Sequence, residues 1–222
     1  MSQTDPTVRQ ARDRFFAASG FSPDGGYADD WAEAEFGAVR YRVPNLPARK
    51  AALERHDLHH IATGYDSDWR GEAEISGWEL GSGAGRYPYA WLIALWGMFT
   101  GLIQHPGPTV QAFLRGRHST NLYRYSVPTQ ELLERPISAL KDALSVLPPG
   151  VDPWQDRPFV ARAADVIALA GWSTASILLG LISLPPAGVL LMLAWRPRLP
   201  ALTGCSCRAT AARGPLADLP DC

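Results

Sequence analysis

Apolar residues recur at helical spacing along most of the chain, and little of it alternates in the two-residue period of a strand, so the pattern predicts an all-α fold. A first helix is expected over 6–18, stopped at Gly20, with the polar run SPDGGYADD leading onward. Asn45 is a plausible cap for a helix from about Pro47 to Thr63, with Pro47 in its first turn and Gly64 as its stop. A helix over 71–85 carries Gly77, Gly81 and Gly85 at four-residue intervals, small enough for a second helix or a chain-like ligand to approach its backbone. The next segment, 88–103, has sixteen residues and no charge, short of the roughly 20 needed to cross a bilayer. It reads as a central helix or the wall of an apolar pocket. Helices near 108–116, 129–135 and 137–147 follow, the last entered through Pro136, and LPPG closes this part.

Beyond Pro149 the pattern changes. Residues 166–195 are thirty positions without a charged side chain, interrupted by Pro185-Pro186. The options are one tilted or kinked span, a helical hairpin dipping into one leaflet, or a buried helix packed on the main domain. Arg157 and Arg162 before the stretch, with Arg196 and Arg198 after it, favour a hairpin with both ends on one side. The organisation expected is thus an N-terminal helix and linker (1–30), a compact helical domain (31–149), a hydrophobic membrane-associated segment (150–198) and a flexible tail (199–222).

With 222 residues the chain can bury a substantial core, and a net charge of −1 leaves no basic field to attract nucleic acid. Cys205, Cys207 and Cys222 all lie in the tail, so the body needs no disulfide and suits a reducing compartment. The leading MSQTDPTVRQARDRFF lacks the apolar core of a signal peptide, and Asp5 and Asp13 count against a transit peptide.

Candidate chemistry concentrates in residues 56–72, HDLHHIATGYDSDWRGE. On an ideal helix His56, Asp57 and His60 lie within an arc of about 100°. The turn-forming TGYDSD run lets a second helix bring Glu72 back toward them. Two imidazoles and two carboxylates suit a divalent metal, zinc above all. The competing reading of His-x-x-x-His is a solvated helix face. His59 lies across His56 from Asp57 and reads as a support behind the ligands, or as a polar residue at the pocket mouth. Arg115 and Arg117 end a helix, where cations complement the dipole, or bind a carboxylate or phenolate on a substrate.

His56-Asp57-x-x-His60, followed by eleven residues and Glu72, resembles the metal-binding signature of the coenzyme Q biosynthesis protein 4 family. ERHDLHHIATGYDSDWRGEAEISGWELG is similar to its core segment, AFLRGRHSTNLY to its R-G-R stretch, and LLERPISALKDALSV to its closing helices. The resemblance covers about 36–147. The apolar segment after 150 departs from the family pattern, as does His59, where the family often carries an aromatic or apolar residue. These departures are compatible with a membrane-tethered paralogue whose substrate and pocket polarity differ.

The resemblance implies His56, Asp57, His60 and Glu72 as metal ligands. It implies a role in ubiquinone biosynthesis: decarboxylation of a polyprenylated hydroxybenzoate, organisation of the other ring-modifying enzymes, or both. Residue chemistry, apart from the resemblance, suggests that Gly77 and Gly81, with the 88–103 helix, would form a slot for the prenyl tail, and that Arg115 or Arg117 would orient the headgroup. The expected location is the cytoplasmic side of a bacterial inner membrane, or the matrix side of the mitochondrial inner membrane in a eukaryote; a homodimer is compatible with this. The alternatives are a non-catalytic prenyl-lipid-binding scaffold with a structural metal, and a zinc hydrolase, which needs a glutamate where Asp57 stands.

Overall fold

The computed structural model describes residues 5–36, 39–148, 150–155 and 157–194. Eight α-helices and one two-stranded hairpin appear among them: α1 (Val8–Ser19), β1 (Trp31–Phe36), β2 (Val39–Pro44), α2 (Pro47–Thr63), α3 (Trp69–Ser82), α4 (Pro88–Gln104), α5 (Pro106–Gly116), α6 (Thr129–Leu133), α7 (Ile137–Ala143) and α8 (Phe159–Ala194). A 3-10 turn at Leu122–Arg124 lies between α5 and α6. The hairpin is the one departure from the all-helical expectation. Its strands, WAEAEF and VRYRVP, do alternate, but each is only six residues long, too short to stand out beside the helical pattern. The antiparallel register sets Glu33 opposite Arg42, an opposite-charge pairing that favours this alignment.

The helix boundaries follow local chemistry. Thr7 and Gln10 form a reciprocal capping box at the start of α1. Gly20 and Gly64 end α1 and α2 in the left-handed conformation, at φ 73° and 78°. Asn45 does not cap α2. Its amide instead donates to the carbonyls of Gly26 and Asp29, tying the 20–30 loop to the hairpin, and α2 starts at Leu46-Pro47 without a side-chain cap.

α3 is the centre of the packing. Its interior face adds Ile75 and Trp78 to a core with Val8, Leu58, Ala112, Leu133, Leu140 and Leu144, so α1 belongs to the main body. A Cβ on Gly77 would lie 2.6 Å from the carbonyl oxygen of Thr109, and one on Gly81 2.2 Å from that of Phe113. The backbone of α5 therefore occupies the side of α3 on which these glycines lie. Helix crossing takes the space that a prenyl slot against Gly77 and Gly81 would need. Gly85 falls beyond the end of α3.

α8 is a single helix of 36 residues that runs through Pro185 and Pro186, so the expected re-entrant hairpin is not formed. Its segment Phe159–Ser183 is long and apolar enough to cross a membrane. One face packs along α4, where Trp172 stacks on Trp91 with ring centroids 4.8 Å apart and Gly180 sits against the Phe99 ring. Asp165, fully buried on α8, forms ion pairs with Arg117, just past the end of α5, and with Arg157. Residues 199–222, with the three cysteines, and Arg196 and Arg198 lie outside the described residues.

Candidate metal centre

The centre is built where α2 faces the first two turns of α3. His56 and His60, one turn apart, project from the same side of α2. After the Gly64 stop, Asp68 caps α3 by accepting the Gly71 N–H at 2.7 Å. Gly71 is required there, because a Cβ would lie 1.9 Å from the Asp66 carbonyl oxygen. This tight turn sets Glu72 in the first turn of α3, where a carboxylate also complements the helix dipole.

His56, His60 and Glu72 converge so that their ligand atoms lie within 4.8 Å of one another, a group that can hold a metal ion. His56 Nε2 lies 3.2 Å from His60 Nε2 and 3.4 Å from Glu72 Oε2, and His60 Nε2 lies 3.5 Å from Glu72 Oε1. Donors on a tetrahedral ion at about 2.0–2.1 Å lie about 3.3 Å apart, close to the separation of the two imidazole nitrogens, and the Glu72 carboxylate approaches each histidine with a different oxygen. The tautomers agree with this. His60 Nδ1 is 3.0 Å from the Tyr65 carbonyl and His56 Nδ1 is 3.0 Å from Glu79 Oε1. With each Nδ1–H donated to an acceptor, the Nε2 lone pairs are left facing each other. Two lone pairs at that distance repel unless a cation, proton or metal, lies between them. Phe15 of α1 stacks on His60 at 5.3 Å and covers its far side.

Electrostatics sharpen the picture. Burial alone would lower the His56 pKa, but Glu79 and Glu72 override it and hold it well above the ordinary histidine value. Burial likewise works to raise Glu72 and Glu79, yet hydrogen bonds and charge from the histidines bring both well below the usual carboxylate range. The two carboxylates around His56 thus favour a positive charge at this position.

Asp57 stands beside this group and not within it. Its carboxylate accepts a hydrogen bond from the Tyr27 hydroxyl, and burial raises its pKa. His59 is fully buried and does not face the pocket mouth. Its Nε2 accepts the Leu122 N–H at 2.9 Å, so its Nδ1 carries the proton and donates to Glu79 Oε1 at 2.7 Å. The same oxygen accepts from the Tyr123 hydroxyl at 3.0 Å, which makes Glu79 the hub of the buried network. Sequence reasoning missed Glu79, although a signal existed. It follows Glu72 by seven residues, two helical turns, and so shares a face with it.

The two arginines expected at the substrate lie elsewhere. Arg115 is buried over the Tyr65 ring and donates to the Tyr65 hydroxyl and the Leu147 carbonyl, while Arg117 pairs with Asp165. His56, Asp57 and Glu72 instead open onto a cavity of about 1070 Å³ beneath the hairpin. Phe21, Trp31, Leu53 and Ile93 line its apolar side, and Arg42 and Arg49 bring guanidinium groups to it. Ile93 belongs to α4, so the 88–103 helix does contribute to a pocket wall. No family model, curated protein or solved structure matches the chain.

Proposed function

We propose that the chain is a divalent-metal-dependent lyase, with zinc the best-suited ion, that removes the ring carboxylate from a polyprenylated hydroxybenzoate at a membrane surface. The observation that carries the metal is the pair of imidazoles whose Nδ1 protons are donated to acceptors and whose Nε2 atoms converge beside Glu72; His56 and Glu72 line a cavity that also carries Asp29, Asp30, Glu33, Asp57, Arg42 and Arg49. The substrate class rests on the resemblance of residues 36–147 to the coenzyme Q biosynthesis protein 4 family. His56, His60 and Glu72 would hold the ion, and of these His56 and Glu72 line the cavity. When bound, the ion supplies Lewis acidity to a substrate carboxylate or phenolic oxygen.

The remaining steps fall to the chain's own groups. Arg42 and Arg49 suit the carboxylate, and Phe21, Trp31 and Ile93 the ring and the start of the prenyl chain. As the carbon–carboxylate bond breaks and carbon dioxide leaves, the electron pair stays on the ring carbon, which takes up one proton. Asp57, held toward its protonated form by burial, bonded to Tyr27 and lining the same cavity, is the acid for that transfer.

α8 would anchor the protein on the cytoplasmic face of a bacterial inner membrane, or the matrix face of its mitochondrial counterpart, close to the other ring-modifying enzymes. Anchoring on the surface is preferred to crossing because the inward face of α8 is held by α4 and by the Asp165 ion pairs. The test is lipid extraction and mass spectrometry from a deletion strain complemented with wild-type or Glu72→Ala protein. An accumulated carboxylated prenyl-phenol with Glu72→Ala is expected. A normal quinone profile with a folded Glu72→Ala protein would overturn the catalytic role and leave the scaffold reading.

A further inference from the structure

A second cavity, of about 740 Å³, lies apart from the metal centre and is lined by Arg55, Arg86 and Arg124 together with Tyr87, Tyr123 and Tyr125. No aspartate or glutamate lines it. Among the described residues neither Arg86 nor Arg124 has a carboxylate partner, and both are exposed. Arg55, on α2, is 8% exposed. Its Nε donates to the Tyr87 hydroxyl at 2.8 Å and its Nη2 to the Val127 carbonyl at 3.2 Å, while its guanidinium stacks over the Tyr87 ring. The third nitrogen, Nη1, is buried and has no acceptor.

A buried guanidinium nitrogen left without an acceptor costs free energy that folding does not recover, so such a group is expected to have a partner. Two further guanidinium groups at the same cavity, without countercharge, repel one another unless an anion joins them. Arginine suits phosphate because its planar donors match the oxygens in pairs. The Tyr87 hydroxyl, already accepting from Arg55, has its own proton free of any acceptor among the described residues and can donate it. Three cations exceed what one carboxylate neutralises and match a phosphate or pyrophosphate group.

We infer that this cavity is a phosphate-binding site in which Arg55, Arg86 and Arg124 converge on one phosphate or pyrophosphate group. Arg55, fixed by Tyr87 and Val127, gives the site its position, and the two exposed arginines close around the anion. The site is separate from the metal trio: among the described residues its arginines make no hydrogen bond or ion pair with His56, His60 or Glu72, and it meets the buried network through Tyr123, which donates to Glu79.

The test is calorimetric titration of the full chain with inorganic pyrophosphate at low salt. In parallel, co-sedimentation is measured with phosphatidylcholine vesicles with and without phosphatidate. The variants are Arg86→Ala/Arg124→Ala, which alters only exposed side chains, and Arg55→Lys, which keeps the charge but loses the fork. The double variant is expected to weaken binding at least tenfold, and Arg55→Lys severalfold, with zinc binding unchanged in both. Pyrophosphate binding that falls in the double variant supports a soluble phosphate ligand. A phosphatidate-dependent gain in sedimentation that falls in the same way supports a lipid headgroup. The proposal is overturned if neither probe binds the wild type, or if the double variant binds as well as wild type does.

Discussion

The crossing of α2 and α3 and the length of α8 distribute polarity in opposite ways. At the crossing, His56, His59, His60 and Glu79 are all buried, and the surrounding apolar side chains shield them from water. Along α8 the buried positions include Asp165, Ser176 and Gly180, while Ile167, Leu178, Leu181 and Ile182 face outward. Burying charge is unfavourable unless it is paired, so the first region persists through its internal partners. Exposing a continuous apolar face is unfavourable in water, so the second is suited to being covered. Small and polar residues between helices with aliphatic residues outside is the arrangement expected of helices against lipid. One region can hold a cation among its buried ligands, and the other is long and apolar enough to cross a membrane.

The largest effect expected from breaking this contrast is at the metal trio. His60→Ala removes one of three donors, and zinc affinity measured by competition with a chromophoric chelator should fall by more than about 100-fold, beyond the range typical of losing a supporting residue. Retained affinity would mean that the cluster does not bind metal through these atoms. Next comes Glu79. Glu79→Ala leaves His56 and His59 without their buried acceptor and should destabilise the fold by about 3 kcal/mol in chemical denaturation, with zinc affinity falling about tenfold or more. Glu79→Gln keeps the shape and one acceptor and should fall between this variant and the wild type. Equal stability of all three would show that the polar interior is not held by its partners.

Alkaline pH probes the same interior without mutation. Burial raises the Tyr65 pKa to about 12 against the opposing pull of Arg115. Burial, followed by the nearby Asp57 and Glu79 charges respectively, holds Tyr27 and Tyr123 well above 10. The folded protein therefore keeps protons that the unfolded chain releases near pH 10, so stability is full below that value and declines above it. The loss is about 1.4 kcal/mol per pH unit for each such tyrosine. A midpoint of urea unfolding that stays level from pH 9 to 11 would contradict their burial.

The smallest change in stability belongs to the outward face of α8. Leu178→Lys/Ile182→Lys should alter folding stability by no more than about 0.5 kcal/mol per site, because both side chains already face outward. The same pair should reduce the fraction of protein that floats with liposomes by severalfold. Unchanged flotation would transfer the membrane role to some other surface.

Local chemistry made much of this legible. The stops at Gly20 and Gly64, Pro47 in a first turn, and the uncharged runs at 88–103 and 166–195 were read from residue types with local consequences, and they correspond to observed elements. His56 and His60 were readable because four residues on a helix is a fixed distance, and Glu72 because the intervening turn is short. Where several partners compete for one group, reading along the chain was weaker. Asp57 shares an arc with the histidines, but the Tyr27 hydroxyl, thirty positions earlier, engages its carboxylate. Arg115 and Arg117 sit at a helix end in sequence, yet one is claimed by Tyr65 and Leu147 and the other by Asp165.

The sequence by itself therefore determined the mostly helical body, the metal-binding residue types at their helical spacing, and the long apolar C-terminal helix, because each follows from period, composition and short-range sterics. Only the tertiary structure decided that Glu79 orients His56, that α5 fills the groove beside Gly77 and Gly81, that α8 turns its apolar side outward, and that three arginines share a cavity that no carboxylate lines. Those outcomes depend on which partners reach a side chain first across long stretches of chain, and no local periodicity carries that information.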